Sequence, residues 1–249
     1  GSTRLAAAPS VRAKHAEAEA MRREVLAAWR EVLGERHPDT LTSMNNLAEL
    51  LRAQGRLEEA APLYREALAA RHEVLGERHP DTLTTMGNLA DTLCEQGKHA
   101  EAEAMEREVL AALREVLGER HPDTLSAMNN LAMTLSKQGK HAEAEAMQRE
   151  VLAARHEVQG ERNPATLTAM SNLASTLQER GKQAEAEAMQ REVLAARRGV
   201  QGARHPSTLA TMGSLASTLY EQGKHAEAEA VRREISAGDP IETAMRSTM

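Results

Sequence analysis

An all-α solenoid of tandem antiparallel helix pairs is the fold that this 249-residue sequence predicts. Three observations carry the prediction. Pro38, Pro80, Pro122, Pro164 and Pro206 recur every 42 residues. Two sets of glycines keep the same step, Gly55, Gly97, Gly139, Gly181 and Gly223 in one, and Gly34, Gly76, Gly118, Gly160 and Gly202 in the other. Between these marks run two apolar stripes spaced by three and four residues, the period of one face of a helix.

The segment from Pro80 to Gln96 shows how the first helix of each unit arises. Leu83, Met86, Leu89, Ala90 and Leu93 fall on one face. Proline in the first turn forfeits no useful donor, and Asp81 beside it suits the positive end of the helix dipole. This is helix A. After Gly97 a second segment places Ala102, Met105, Val109, Leu113 and Val116 on an apolar stripe that Gly118 closes, and this is helix B. A short link at each glycine sets A and B antiparallel, as a hairpin. One hairpin cannot bury both stripes, so it stacks on the next. A long coiled coil is excluded because every unit carries Gly and Pro. Five A helices are expected, starting near each repeated proline, and six B helices, the first from about Lys14 to Leu33.

The array therefore starts in mid-repeat. Leu5 and Ala6 stand 42 residues before Leu47 and Ala48, so residues 3 to 12 read as the remnant of an earlier helix A, broken at Pro9. Gly1 and Ser2 read as a cloning scar. The expected organisation is residues 1–13 as scar and remnant, 14–236 as the array, and 237–249, with Gly238 and Pro240, as a frayed tail of a longer protein.

Composition bounds the rest. With 41% hydrophobic residues but 1% aromatic and no Phe, the core must come from Leu, Ala, Met and Val. The Met44, Met86, Met128, Met170 and Met212 ladder reads as core filler where aromatics are absent. One cysteine, Cys94, allows no internal disulfide and suits a reducing, cytoplasmic setting. No apolar run is long enough to span a bilayer, so no membrane partner is expected. A net charge of −6 argues against nucleic acid, which needs a basic footprint.

Within each unit the pattern Leu47, Ala48, Leu51, Gln54, Gly55, Glu59, Ala60 and Ala67 resembles the tetratricopeptide repeat, and residues 37 to 83 resemble the 42-residue repeat of kinesin light chains, with its NNLA, EA, LY and HPD elements. Similar arrays end some nucleotide-binding sensor proteins. The resemblance covers nearly the whole chain and implies a right-handed superhelix with a concave face lined by A helices. The family's aromatic at Tyr64 is replaced by Glu106, Gln148, Gln190 and Arg232, which implies softer interlocking between repeats. Neither the heptad segment of a kinesin light chain nor a nucleotide-binding domain lies within these residues.

The search for chemistry is negative, and no enzyme and no cofactor are expected. Each Gly-Lys pair has Thr92, Thr134, Thr176 or Thr218 where a phosphate loop needs its first glycine. The histidines recur once per unit and so spread along the array instead of converging on a metal; His37, His79, His121 and His205 are read as shaping the turn before the proline. Cys94 has no basic helper nearby in sequence. The Glu-Ala runs after each Gly-Lys read as a solvated convex face.

By the family's register the outward positions of helix A are Thr42, Asn45, Asn46, Glu49, Arg52 and Ala53, and their equivalents in later units, among them Asn88, Asp91, Cys94, Glu95, Asn129, Asn130, Lys137, Asn172, Glu179 and Glu221. The resemblance implies a protein or peptide ligand there. The Asn46, Asn88, Asn130 and Asn172 ladder has two readings of equal weight, a grip on a peptide backbone and a tie between neighbouring repeats. Positions that grip a chaperone's terminal carboxylate elsewhere in the family hold Asn45, Gly87 and Asn129, or Glu49 and Asp91, which argues against such a clamp. The face leans acidic and should favour neutral or basic peptides. An adaptor is the leading expectation; self-association through exposed repeat ends and a sensor array of a larger protein are the alternatives.

Overall fold

The computed structural model describes residues 11–237, with side chains from Glu17 onward. The described residues form eleven α-helices and no strand: α1 (Val11–Leu33), α2 (Pro38–Ala53), α3 (Leu57–Leu75), α4 (Pro80–Glu95), α5 (His99–Leu117), α6 (Pro122–Lys137), α7 (His141–Gln159), α8 (Pro164–Glu179), α9 (Gln183–Val200), α10 (Pro206–Glu221) and α11 (His225–Ser236). The even-numbered helices are the A helices, each starting at its proline. The first B helix begins at Val11, three residues earlier than the sequence suggests. The remnant and the tail fall, apart from the start of α1 and Ala237, outside the described residues.

The chain divides into two compact units, residues 1–116 and 117–249. In the first, α1 packs on α2, α2 on α3 and α3 on α4, and α2 also meets α4. In the second, α6 to α11 pack consecutively, with α6 touching α8 and α8 touching α10. Each unit is thus a stack of helix hairpins in which a helix meets its near neighbours in sequence.

Every A helix starts the same way. The imidazole Nδ1 of His37, His79, His121 and His205 accepts the N–H two residues on at 3.2 Å, and Asn163 Oδ1 does so at 2.9 Å. These are N-caps: an extended residue whose side chain satisfies one of the orphan donors of the first turn. The far end of α2 closes on Gly55 at φ +75, with Arg56 N–H donating to Leu51 O at 2.9 Å and Gly55 N–H to Arg52 O at 2.8 Å. This Schellman closure needs a left-handed residue, hence glycine at each such step.

The core follows the A-helix stripe closely. Leu83, Met86, Leu89, Ala90 and Leu93 are all buried, as is the whole Met ladder. Burying each such Leu or Met contributes about 1.5–3 kcal/mol. The B-helix stripe differs from expectation. In α5 the buried residues are Ala102, Glu106, Val109 and Leu110, whereas Met105 and Leu113 are half-buried and Val116 is exposed. Where B helices α3, α7 and α9 meet A helices on two sides, the buried arc is likewise wider than one apolar row and takes in polar residues. Tyr64, Glu106, Gln148 and Gln190, successive occupants of one position, are all buried.

Candidate functional site: the exposed face of the A helices

The stripe that each A helix buries leaves its opposite side to solvent, and this polar side holds most of the expected site residues. In the first unit Asn46, Glu49 and Glu95 are exposed and Asn45, Arg52, Asn88 and Asp91 are half-buried. In the second, Lys137 and Glu179 are exposed, and Asn129, Asn130 and Asn172 are half-buried. Cys94 departs from the expected outward register. It is 6% exposed, and its Sγ lies 3.6 Å from His99 Nδ1, a contact across the turn that sequence separation hides.

Several of these residues come together. Arg52 on α2 lies 3.2 Å from an Asp91 carboxylate oxygen and 3.8 Å from a Glu95 oxygen, both on α4. Burial lowers the Arg52 pKa, and Asp91 and Glu95 more than restore it, leaving it above its ordinary value. Beneath them burial pushes the Tyr64 phenol up to about 12. Arg52 therefore offsets one of the three carboxylate charges that Glu49, Asp91 and Glu95 bring to this face, with Glu49 outside the cluster.

In the second unit the Asn172 amide donates to Asn129 Oδ1 at 3.1 Å, joining α8 to α6. Asn172 of the asparagine ladder is thus bonded to the neighbouring repeat through Asn129, a residue outside the ladder. The ends of α8 and α10 are acidic. Glu179, the last residue of α8, accepts from Ser136 Oγ and stands 3.2 Å from His141 Nδ1. Glu221, the last residue of α10, accepts from the amides of Gln178 and Gln183, each at 2.9 Å. Neutral amides orient the Glu221 carboxylate without cancelling its charge, and the negative pole of each helix adds to the field.

The structure also reveals buried charge that the sequence reading missed. Arg71, Arg155 and Arg197 occupy one repeat position and are 4%, 5% and 7% exposed. Arg197 Nη1 donates to Ser207 O at 2.9 Å and Thr211 Oγ1 at 2.6 Å, pinning α9 to α10. Burial lowers the pKa of all three guanidinium groups. The Glu-Ala runs are likewise not wholly solvated. Burial raises the Glu145 pKa, but hydrogen bonds from Lys182, Arg149 and Arg180 outweigh it and bring it down to about 2. A hydrogen bond from Lys224, with Arg191 and against burial, holds Glu187 at about 2 as well. The signal was legible: an Arg or Lys recurring 35 to 37 residues after the Glu, one repeat later and five to seven positions short of register.

Among the described residues there is no group of three or more His, Cys, Asp or Glu placed to hold a metal ion, and no helix long and apolar enough to cross a membrane.

Comparison with known families matches the tetratricopeptide repeat over residues 3–72, 45–115, 107–157, 123–199 and 166–237. No curated protein matches in sequence. A Podosopora anserina protein assigned as a kinesin light chain, built of nearly identical TPR-like repeats, is similar in structure at 27% identity, covering 81% of this chain and 95% of its own, with a TM-score of 0.67. BtubC from P. vanneervenii shares the fold at 23% identity, covering 93% of this chain and 92% of its own, with a TM-score of 0.73. The apo quorum sensor NprR of B. thuringiensis shares it at 16% identity, covering 92% of this chain and 63% of its own, with a TM-score of 0.69.

Proposed function

Because the chain belongs to the tetratricopeptide repeat family, whose members generally mediate protein–protein interaction, we propose that it is a non-catalytic adaptor binding an extended peptide or partner helix along the exposed face of its A helices. The observation that carries this reading is the pair of carboxylates closing α8 and α10. Glu179 and Glu221 are exposed and fixed in position, at the negative ends of two helices that touch. A partner with a lysine or arginine gains charge-assisted hydrogen bonds there at little cost in ordering the acceptor. Neutral or basic segments are therefore favoured over acidic ones, and the setting is cytoplasmic.

Selection of random peptides on the whole chain tests this, run beside the double variant Glu179→Gln, Glu221→Gln with helix content checked by circular dichroism. Enrichment of basic peptides that weakens by about tenfold or more on the folded variant supports the reading. Enrichment of acidic peptides, or of any peptides with equal strength on both proteins, refutes it.

A further inference from the structure

The first B helix, α1, carries an apolar row that its counterparts elsewhere keep covered. Met21 is 61% exposed, Val25 48% and Trp29 38%. Val25 has valines at the same repeat position in α7 and α9, and both Val151 and Val193 are 0% exposed. The difference lies in the neighbour. Val193 packs with Leu167 and Met170 of α8, the helix A that precedes it, and Met189, the equivalent of Met21, joins the same cluster. On α1 the same row instead borders an open groove with α2, lined by Met21, Val25 and Trp29 on one side and by Thr42, Ser43 and Asn46 on the other.

A second feature points to the same occupant. Between α2 and α4, Arg52 of one A helix reaches Asp91 of the next. Glu49 stands 42 residues before Asp91, on α2, exposed. A helix A seated on α1 would bring its own residue at the Arg52 position against Glu49. The apolar row and the charge are thus arranged for one class of partner.

We propose that the α1/α2 groove is a docking site for an amphipathic helix of the helix-A type supplied by another chain. Its Leu and Met stripe covers Met21, Val25 and Trp29, and a basic residue near its C-terminus pairs with Glu49. The contact repeats the way α8 covers α9 within the second unit, so it needs no new packing geometry. Mode and partner are those of helix-in-groove recognition. This site shares Thr42, Asn46 and Glu49 with the A-helix face, but its apolar side belongs to α1 and it lacks Glu179 and Glu221, so its test and that of the A-helix face can fail separately.

Trp29 is the only tryptophan in the chain, which makes the groove directly observable. The probe is a synthetic peptide with the sequence of residues 38–53, titrated into the whole protein while indole emission is followed. Covering a partly exposed indole with apolar side chains shifts its emission to shorter wavelength, so a saturable blue shift is expected. Val25→Asp in the protein should weaken binding by about tenfold or more. Glu49→Lys, a surface change that leaves the core intact, should also weaken it, and a peptide carrying Arg52→Glu should restore affinity to that variant. Absence of a shift, or a shift indifferent to both variants, overturns the proposal. So does binding that emerges only once residues 1–10 are removed, since the chain's own first segment would then be the occupant.

Discussion

Replacing His121 by alanine and by asparagine separates a capping role for the repeated histidines from any other. In the structure His121 is extended (φ −65, ψ 140), Pro122 follows it, and its Nδ1 accepts the Asp123 N–H at 3.2 Å. Alanine keeps the backbone but leaves that donor to water, and N-cap removal of this kind costs about 1 kcal/mol. Asparagine should cost little, because Asn163 performs the same task one repeat later at 2.9 Å. With a urea m-value of about 2 kcal/mol/M, the alanine variant should unfold at a midpoint lower by about 0.5 M, and the asparagine variant close to the parent. The assay is urea denaturation followed by circular dichroism at the helix band. If both variants unfold together, whether near the parent or well below it, the side-chain acceptor is not what holds the start of α6, and the same account of His37, His79 and His205 fails with it.

Two further outcomes follow from the buried charge. Glu145 and Glu187 both have folded-state pKa values of about 2 against an ordinary 4.5, so the unfolded chain binds more protons in that interval; their contribution to stability is complete above about pH 4.5 and is lost as pH falls from there through about 2. Thermal melts across that range should show Glu145→Gln, Glu187→Gln less stable at neutral pH and less sensitive to acid than the parent, and parallel pH profiles would contradict the ion clusters. Arg197→Ala should cost about 2–4 kcal/mol, from lost charged hydrogen bonds and a poorly filled site, whereas Arg197→Leu should cost about 1 kcal/mol or less, because it also removes the burden of a buried cation. Leu113 already occupies the equivalent position in α5. Equal losses in urea denaturation would show that the hydrogen bonds alone matter.

The period of 42, the proline that opens each A helix and the glycine that closes it were sufficient to place the helices, because these marks act within a few residues of chain. The A-helix core was legible for the same reason: Leu83, Met86, Leu89, Ala90 and Leu93 form one clean row and are buried together. The candidate site was less so. Its outward positions could be listed from the register, but which of them already have partners depends on side chains about 40 residues apart, as with Arg52 and Asp91 or Asn172 and Asn129.

Helix identity and order, then, belong to the sequence, since capping and apolar periodicity are local interactions repeated with little change. Only the tertiary structure decided which polar residues go inside. By residue type alone Arg197, Glu145 and Gln190 belong at the surface, yet all three are buried where one repeat lies against the next. The same stacking decides that Val25 is exposed while Val151 and Val193 are not. Identical residues within the same REVLAA stretch differ because burial is set by what packs on them, a property of the neighbouring helix that no single repeat contains.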